Sequence, residues 1–181
     1  GTLRWDILRL FDEIKTGLRK VNLTAPKLDG ISVDAWGVDY AWSSASEPLL
    51  SVPFHYRDSR TDSTYPQFLK IAGRDLIFSE TGIQFMSINT LYQLAAQARD
   101  ERVLAISHSL LMIPDIMHYW LTGIRAAEFT NASTTGALAG RVGAPGFRSP
   151  RRPLCSCRRR FRAIRRSSDL PRLPSRVSRT G

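Results

Sequence analysis

The stretch DGISVDAWGVDYAWSS, residues 29–44, decides the fold of this chain. Apolar and polar residues alternate over residues 31–36 and again over residues 38–43, and such alternation is typical of half-buried β-strands. Gly37 interrupts the pattern, and a glycine between strands allows the backbone to turn or a ligand to approach closely. We therefore predict two strands that meet at Gly37.

Two carboxylates, those of Asp34 and Asp39, flank this glycine in the sequence. Acids beside a strand turn are commonly solvated and have no special function. Two carboxylates next to a glycine also fit a ligand site, and the residues alone leave both interpretations open.

The residues before this stretch predict a helix. Asp6 is suited to its N-cap, and Arg19 and Lys20 are suited to its last turn, where cations favour the negative end of the helix dipole. The helix would cover the sheet with one apolar stripe. That stripe consists of Ile7, Phe11, Ile14, Leu18 and Val21.

The residues after this stretch predict further helices against the sheet, which indicates an α/β fold. Short helices end at Gly82, another helix begins at Asn89, and a third begins at Pro114 and ends near Gly123. The charged residues 55–63 predict a solvated loop held by its own ion pairs. The helix that follows Asn89 would use an apolar face of Leu91, Leu94, Ala95 and Ala98.

The charge of the chain is divided between two regions. The formal net charge is +10 over 181 residues, which is typical of a nucleic-acid binder. However, residues 136–181 hold 13 Arg, no Lys and one acid, Asp169, whereas residues 1–135 hold 13 basic and 15 acidic residues. We therefore interpret residues 1–135 as a globular domain and residues 136–181 as a basic, low-complexity tail.

The tail combines Arg, Pro, Ser and Gly with little periodicity. Such a segment cannot bury enough apolar surface to offset its ordering entropy, so we expect it to be disordered. One interpretation is an arm that binds nucleic acid non-specifically through phosphate contacts. The interpretation that we favour is the out-of-frame translation of a GC-rich gene, because the composition changes sharply at one position.

No motif identifies a nucleotide, metal or membrane site. The chain contains neither GxxxxGK[ST] nor GxGxxG, and its three His are too widely spaced for a metal-ligand pattern, so we interpret each as structural. Both cysteines, Cys155 and Cys157, lie in the tail, and a domain without Cys fits the cytoplasm. The apolar residues 103–121 are interrupted by polar residues and proline, which does not predict a membrane span.

Five ordered segments carry a resemblance to a known family. Together they look like the N-terminal half of rhamnulokinases, members of the FGGY carbohydrate kinase family, over about residues 3–135. The pieces D-A-W-G-V-D and G-I-Q-F-x-x-x-N-T-L-Y-Q-L resemble rhamnulokinases more than xylulose or glycerol kinases. The segments are DGISVDAWGVDY, YRDSRTD, TGIQFMSINTLYQL, LLMIPDIMHYWLTG and EFTNASTT.

The resemblance implies part of an actin-like, ribonuclease-H-like domain of a sugar kinase. In this family two such domains enclose a cleft in which sugar and ATP meet. The implied reaction of rhamnose catabolism transfers the γ-phosphoryl group of Mg²⁺-bound ATP to the C1 hydroxyl of L-rhamnulose, and a carboxylate accepts the hydroxyl proton. The implied small-molecule partners are therefore a ketose, ATP and Mg²⁺.

The resemblance also implies site residues. Gly37 matches the sugar-contacting glycine of the family. Gln84 and Asn89 fall in the segment that lines the sugar pocket of related kinases, and amides suit polyols because they both donate and accept hydrogen bonds. Three residues that flank the glycine are candidates for a supporting layer around it: Asp34, Trp36 and Asp39.

Two departures from the family pattern bear on activity. The phosphate-binding turn D-L-G-A-S-S-G-R and the H-D-T-A-S-A motif that carries the catalytic Asp are both absent, and the chain begins with Gly. We therefore expect a fragment that has no catalytic base, is inactive alone and is poorly soluble because sheet edges and an interface are exposed. Two alternatives stay open: another FGGY ketose kinase, or a nucleic-acid-binding protein that acts through its Arg-rich tail.

Overall fold

Two short antiparallel strands lie at the centre of the computed structural model. Strand β1 is Tyr40–Ser43 and strand β2 is Ser109–Met112. Tyr40 lies opposite Met112, and the register continues without a bulge along all four pairs. The second half of the opening stretch is therefore a strand, as predicted, although it begins two residues later than the alternation does.

Helices surround the strands within the part of the chain that the structure describes, which is residues 1–25, 27–98 and 101–136. The predicted tail lies outside the described residues except for Gly136. Within the described ranges, each helix is too short or too polar to traverse a bilayer. The helices are α1 (Ile7–Thr24), α2 (Thr64–Ala72), α3 (Arg74–Thr81), α4 (Thr90–Gln97), α5 (Glu101–Ile106), α6 (Ile113–Thr122) and α7 (Phe129–Ser133), with a 3-10 turn at Ser59–Thr61.

Both faces of the strand pair are covered. On one face, Ala41 and Leu111 pack in a cluster with apolar residues of α1 and α6. On the other face, Tyr40 and Trp42 pack with Leu94 of α4. The strands are therefore the middle layer of a helix–sheet–helix arrangement, and this explains why all four residues of β1 are buried.

The prediction of a strand over residues 31–36 is wrong. This segment is irregular, and no described strand lies beside it to pair with its backbone. The Val33 amide instead donates to Nε2 of His118 at 3.1 Å, which gives that histidine the structural role expected for it. Val33 and Trp36 still pack against the core, whereas Ile31 is 53% exposed. The alternation therefore predicted neither the strand nor the inward face, because Val33 and Trp36 come from opposite faces of the pattern.

Helix α1 has the predicted cap and a longer C-terminal end than predicted. The Asp6 side chain accepts a hydrogen bond from the Arg9 amide at 3.1 Å, which satisfies one of the open N–H groups of the first turn. The helix continues to Thr24, so Arg19 and Lys20 lie before the last turn, and that part of the prediction is wrong.

The apolar face predicted for α4 is only partly correct. Leu94 is buried, but the most deeply buried side chains of this helix include Gln93 and Tyr92. The buried amide is possible because Gln93 finds hydrogen-bond partners in the turn before β1, as described below. A polar residue therefore lies where the pattern of apolar residues predicted an exposed one.

The local signals for the other helix ends are confirmed. Gly82 ends α3 and Gly123 ends α6, both in the left-handed conformation that glycine adopts without steric cost. Pro114 lies in the first turn of α6, where its missing N–H leaves no hydrogen bond unmade.

The charged loop over residues 55–63 is not a solvated loop held by its own ion pairs. Asp58 is 5% exposed, and its carboxylate accepts from the amides of Leu3 and Arg60 at 2.7 and 3.0 Å. The Arg60 guanidinium lies 3.8 Å from the centre of the Phe54 ring and donates to Oε1 of Gln93. The loop is therefore tied to α4 and to the N-terminal residues.

Candidate functional site

Gly37 lies in the turn that leads into β1, with α7 against it. A Cβ atom at this position would lie 3.7 Å from Oδ1 of Asn131 and 3.8 Å from Oγ1 of Thr134, which is ordinary van der Waals contact. Gly37 is also absent from the glycines with positive φ. Neither backbone conformation nor packing among the described residues requires a glycine here. The missing side chain therefore leaves free space beside the Gly37 backbone.

Gln84 and Asn89 line one shallow, open cavity beside α3 and α4. Asn89 is 4% exposed, and its Nδ2 donates to the Gln84 carbonyl at 2.6 Å, which closes the loop between the two residues. The side chain of Gln84 is exposed. The structure therefore brings these two predicted residues together, with one amide fixed and one available at the surface.

Gly37 does not line this cavity, but one segment connects the two places. Asn131 and Thr134 lie against Gly37, and the Thr135 carbonyl then accepts from the Leu91 amide at 3.0 Å at the start of α4. Gly136 follows and lines the cavity of Gln84 and Asn89. The predicted residues thus lie at the two ends of the segment of residues 131–136.

The three flanking residues have different environments. Asp34 is exposed, whereas Asp39 is fully buried. Trp36 is half-buried and donates from Nε1 to Oδ2 of Asp39 at 3.0 Å. Two of the three predicted flanking residues are therefore in direct contact, and Asp34 is separate from them.

The Asp39 carboxylate organises the surroundings of the turn. Its Oδ2 also accepts from Nε1 of Trp5 at 2.6 Å and from the Tyr56 amide at 3.2 Å, and its Oδ1 accepts from Nε2 of Gln93 at 3.0 Å. A carboxylate offers about four acceptor positions. Three of the four protein donors meet Oδ2 and one meets Oδ1, so this carboxylate holds together side chains and backbone from several segments.

An aromatic cluster covers this carboxylate. The Trp5 ring lies 4.1 Å from the Trp36 ring and 4.2 Å from the His55 ring, with the His55 ring stacked on it. The rings shield the hydrogen bonds of Asp39 from water, which strengthens them. Trp5 lies 34 residues before Asp39 in the chain, and no sequence signal indicated this contact.

Arg60 joins the same network through Gln93, and Tyr40 lies near Arg60. Burial lowers the pKa of the Arg60 guanidinium, although the nearby groups of Tyr40, Asp58 and Asp39 oppose this shift. Burial also raises the pKa of the Tyr40 hydroxyl, which donates to Oε1 of Gln97 at 2.6 Å. Tyr40 is therefore a neutral donor at physiological pH.

Two acids fix the position of α7 against Gly37. The buried Asp115 accepts from the Glu128 amide at 3.0 Å and from the Met112 amide at 3.3 Å, and burial raises the pKa of its carboxyl. Glu128 caps α7 by accepting from the hydroxyl and amide of Thr130 and from the amide of Asn131. These hydrogen bonds lower the pKa of Glu128.

No nucleotide or metal site is assigned among the described residues. No group of three or more His, Cys, Asp or Glu side chains among them is placed to hold a metal ion. The sequence also lacks the glycine-rich turn that would cradle phosphates. We therefore assign no step of phosphoryl transfer to residues of this chain.

Three further residues next to Gly37 were not predicted from the sequence. Val38 has a φ of +67°, an unusual value for a β-branched residue, and Thr90 and Gln93 of α4 contact its carbonyl. The YQL segment that contains Gln93 was part of the quoted resemblance, but nothing in its pattern indicated a buried amide.

Comparisons of sequence find relatives that are named rhamnulokinase. The chain is 43% identical over 137 residues to the rhamnulokinase of Pectobacterium atrosepticum, an alignment that covers 75% of this chain and 27% of the relative. It is 41% identical over 133 residues to the rhamnulokinase of Mannheimia succiniciproducens, which covers 72% and 27%. The chain thus spans less than a third of the length of these curated relatives. No family model matches it.

Comparisons of structure find sugar kinases. The xylulose kinase of Rhodospirillum rubrum aligns with a TM-score of 0.69 and 17% identity over 77% of this chain and 30% of that chain. The gluconate kinase of Lactobacillus acidophilus aligns with a TM-score of 0.61 and 18% identity over 76% and 28%. The shared fold confirms the predicted α/β class, part of an actin-like domain.

Proposed function

We propose that this chain, which is related in sequence to the rhamnulokinases and has the fold of a segment of FGGY-type sugar kinases, forms the sugar-binding side of a cytoplasmic carbohydrate kinase. The whole enzyme would transfer the γ-phosphoryl group of ATP to L-rhamnulose. Residues 1–135 would be an incomplete N-terminal kinase domain and residues 136–181 a tail without a part in catalysis.

The room at Gly37 is the observation that supports this proposal. A Cβ atom at Gly37 would meet nothing closer than 3.7 Å, so the fold has room for the methyl group of an alanine there. A ligand that lies against the glycine backbone would not tolerate it. At the other end of the segment of residues 131–136, the exposed amide of Gln84 offers a polyol both a donor and an acceptor, and Asn89 would hold this loop beside the sugar.

The test is binding of L-rhamnulose to the full chain, measured by calorimetry. We expect binding that Gly37→Ala strongly weakens while the thermal transition of the variant stays close to that of the parent chain. Removal of residues 137–181 serves as the control and should leave the affinity unchanged. Equal affinity in Gly37→Ala and the parent chain would contradict the proposed site, and salt-dependent DNA binding that requires the tail would support the nucleic-acid alternative.

The same chain should not phosphorylate L-rhamnulose with ATP and Mg²⁺. Its sequence contains neither the phosphate-binding turn nor the motif that carries the catalytic Asp, so we derive no chemical step from its residues. ATP-dependent turnover by the purified chain would overturn this part of the proposal.

Another ketose is the second candidate substrate. Its basis is the fold shared with xylulose kinases, including the ligand-bound enzyme of Lactobacillus acidophilus, which aligns with a TM-score of 0.67 and 18% identity. Competition between L-rhamnulose and D-xylulose for the chain distinguishes the candidates. Tighter binding of D-xylulose would favour the second one.

A further inference from the structure

The turn between Gly37 and β1 is strained. The Asp39 amide donates to the Gly37 carbonyl at 2.9 Å, and Val38 between them has a φ of +67°. A three-residue turn with positive φ at its centre is the rare form of the γ-turn. Val38 is the sole non-glycine residue with positive φ in the described ranges, and a β-branched side chain makes this conformation especially unfavourable. Something outside the turn must hold it.

Helix α4 supplies the groups that hold it. The Val38 carbonyl accepts from Oγ1 of Thr90 at 2.8 Å and from Nε2 of Gln93 at 3.2 Å. Both donors are buried, with exposed fractions of 0% and 1%. Because water does not compete for these buried groups, the hydrogen bonds to Val38 are a directed restraint on its peptide plane.

Gln93 is itself held in place. The two N–H groups of its Nε2 are shared among three acceptors, which are the Val38 carbonyl, Oδ1 of Asp39 at 3.0 Å and the Ile88 carbonyl at 2.8 Å, and its Oε1 accepts from the Arg60 guanidinium. The amide therefore contacts Asp39 on one side of the turn and the Val38 carbonyl within it. Its own rotamer is locked by partners from two other segments, which is the arrangement expected of a residue that positions another group.

We propose that Thr90 and Gln93 are positioning residues that keep Val38 at positive φ and thereby orient the Gly37 backbone for the sugar. This inference rests on the proposed sugar site at Gly37. If the restraint were removed, Val38 would relax to negative φ, and the peptide between Gly37 and Val38 would rotate. Gly37 would then no longer face the ligand in the same way.

The test combines loss of the restraint with removal of the strain. Gln93→Leu and Thr90→Val remove the two donors with little change in volume. Because a small misplacement of a binding group costs much affinity, we expect L-rhamnulose to bind roughly tenfold more weakly to each variant of the full chain. Val38→Gly in either background should restore most of the affinity, since glycine adopts positive φ without steric cost.

Gln97→Leu is the matched control. Gln97 is a second buried glutamine of α4, one turn further along, and its amide accepts from Tyr40 without contacting the turn. A structural effect of losing a buried amide would weaken sugar binding equally in Gln97→Leu and Gln93→Leu. That result, or failure of Val38→Gly to restore the affinity of a folded Gln93→Leu chain, would overturn the inference.

A second measurement separates this inference from the proposed function. The amide chemical shift of Gly37 and the φ-dependent coupling of residue 38 report the turn by NMR without sugar. Gln93→Leu should change both, and adding Val38→Gly should return the Gly37 shift toward that of the parent chain. If the parent chain does not bind L-rhamnulose, the proposed function fails, while unchanged turn signals in Gln93→Leu overturn the positioning role by themselves.

Discussion

The two halves of the stretch over residues 29–44 have the same pattern and different structures. Residues 31–36 alternate apolar and polar side chains and remain irregular, whereas Tyr40–Ser43 forms a strand that pairs with Ser109–Met112. Both halves contribute side chains to the core, but β1 buries all four of its residues, whereas Ile31 of the first half is exposed. The comparison teaches that alternation by itself fixes neither the buried face nor a strand, because a strand also needs a neighbouring backbone.

The largest predicted difference between the halves is the loss in free energy of unfolding when the acid of each half is replaced by alanine. Asp39→Ala leaves the N–H donors of Trp5, Trp36 and Tyr56 without their acceptor. At about 1–3 kcal/mol for each buried unsatisfied group, the free energy of unfolding should fall by on the order of 4 kcal/mol. The exposed Asp34→Ala is the matched control and should change it by less than about 0.5 kcal/mol. Urea unfolding followed by tryptophan fluorescence gives both values. Equal losses would mean that the burial of Asp39 is not what distinguishes the two halves.

A smaller difference in free energy of unfolding should follow when an apolar residue of the strand pair and one of the irregular half are truncated. Leu111 of β2 is fully buried, and Leu111→Ala should lower the free energy of unfolding by about 3 kcal/mol, because the packed sheet does not collapse into the cavity. Ile31 is 53% exposed, so Ile31→Ala should cost less than about 0.5 kcal/mol. The same urea unfolding measures this pair. A cost of 2 kcal/mol or more at Ile31 would show that the first half is a packed strand in solution.

The smallest effect concerns α7, which lies against the glycine between the halves. The pKa of Glu128 is lowered from 4.5 by the hydrogen bonds of the cap, so its contribution is present above pH 4.5 and is lost as the pH falls through the folded-state value. Glu128→Gln should therefore lower the free energy of unfolding by about 0.5–1 kcal/mol at pH 7. The two stability curves should converge as the pH falls.

Glu13→Gln is the control for this pH profile, because Glu13 is an exposed acid on α1 whose replacement also removes one negative charge. Thermal unfolding at a series of pH values compares the three chains. A constant gap between Glu128→Gln and the parent chain at every pH would assign the effect to shape rather than to charge.

The candidate site was only partly predictable. The resemblance identified Gly37, Gln84 and Asn89, and the structure places Gln84 and Asn89 in one cavity and connects it to Gly37 through residues 131–136. Their roles in sugar binding stay predictions. Val38 and Gln93 were missed, because positive φ in a valine has no signal in the sequence and because a glutamine on a helix is normally exposed.

Signals that act within one turn of the chain were sufficient to determine the helix ends at Asp6, Gly82, Pro114 and Gly123, since each works through its own backbone or one hydrogen bond nearby. The division of charge at residue 136 was likewise visible in the sequence alone. Which half of the alternating stretch became a strand was decided only by the tertiary structure, and so was the burial of Asp39. Its carboxylate is held by partners 34 and 54 residues away, and contacts over such distances form only when the whole domain folds.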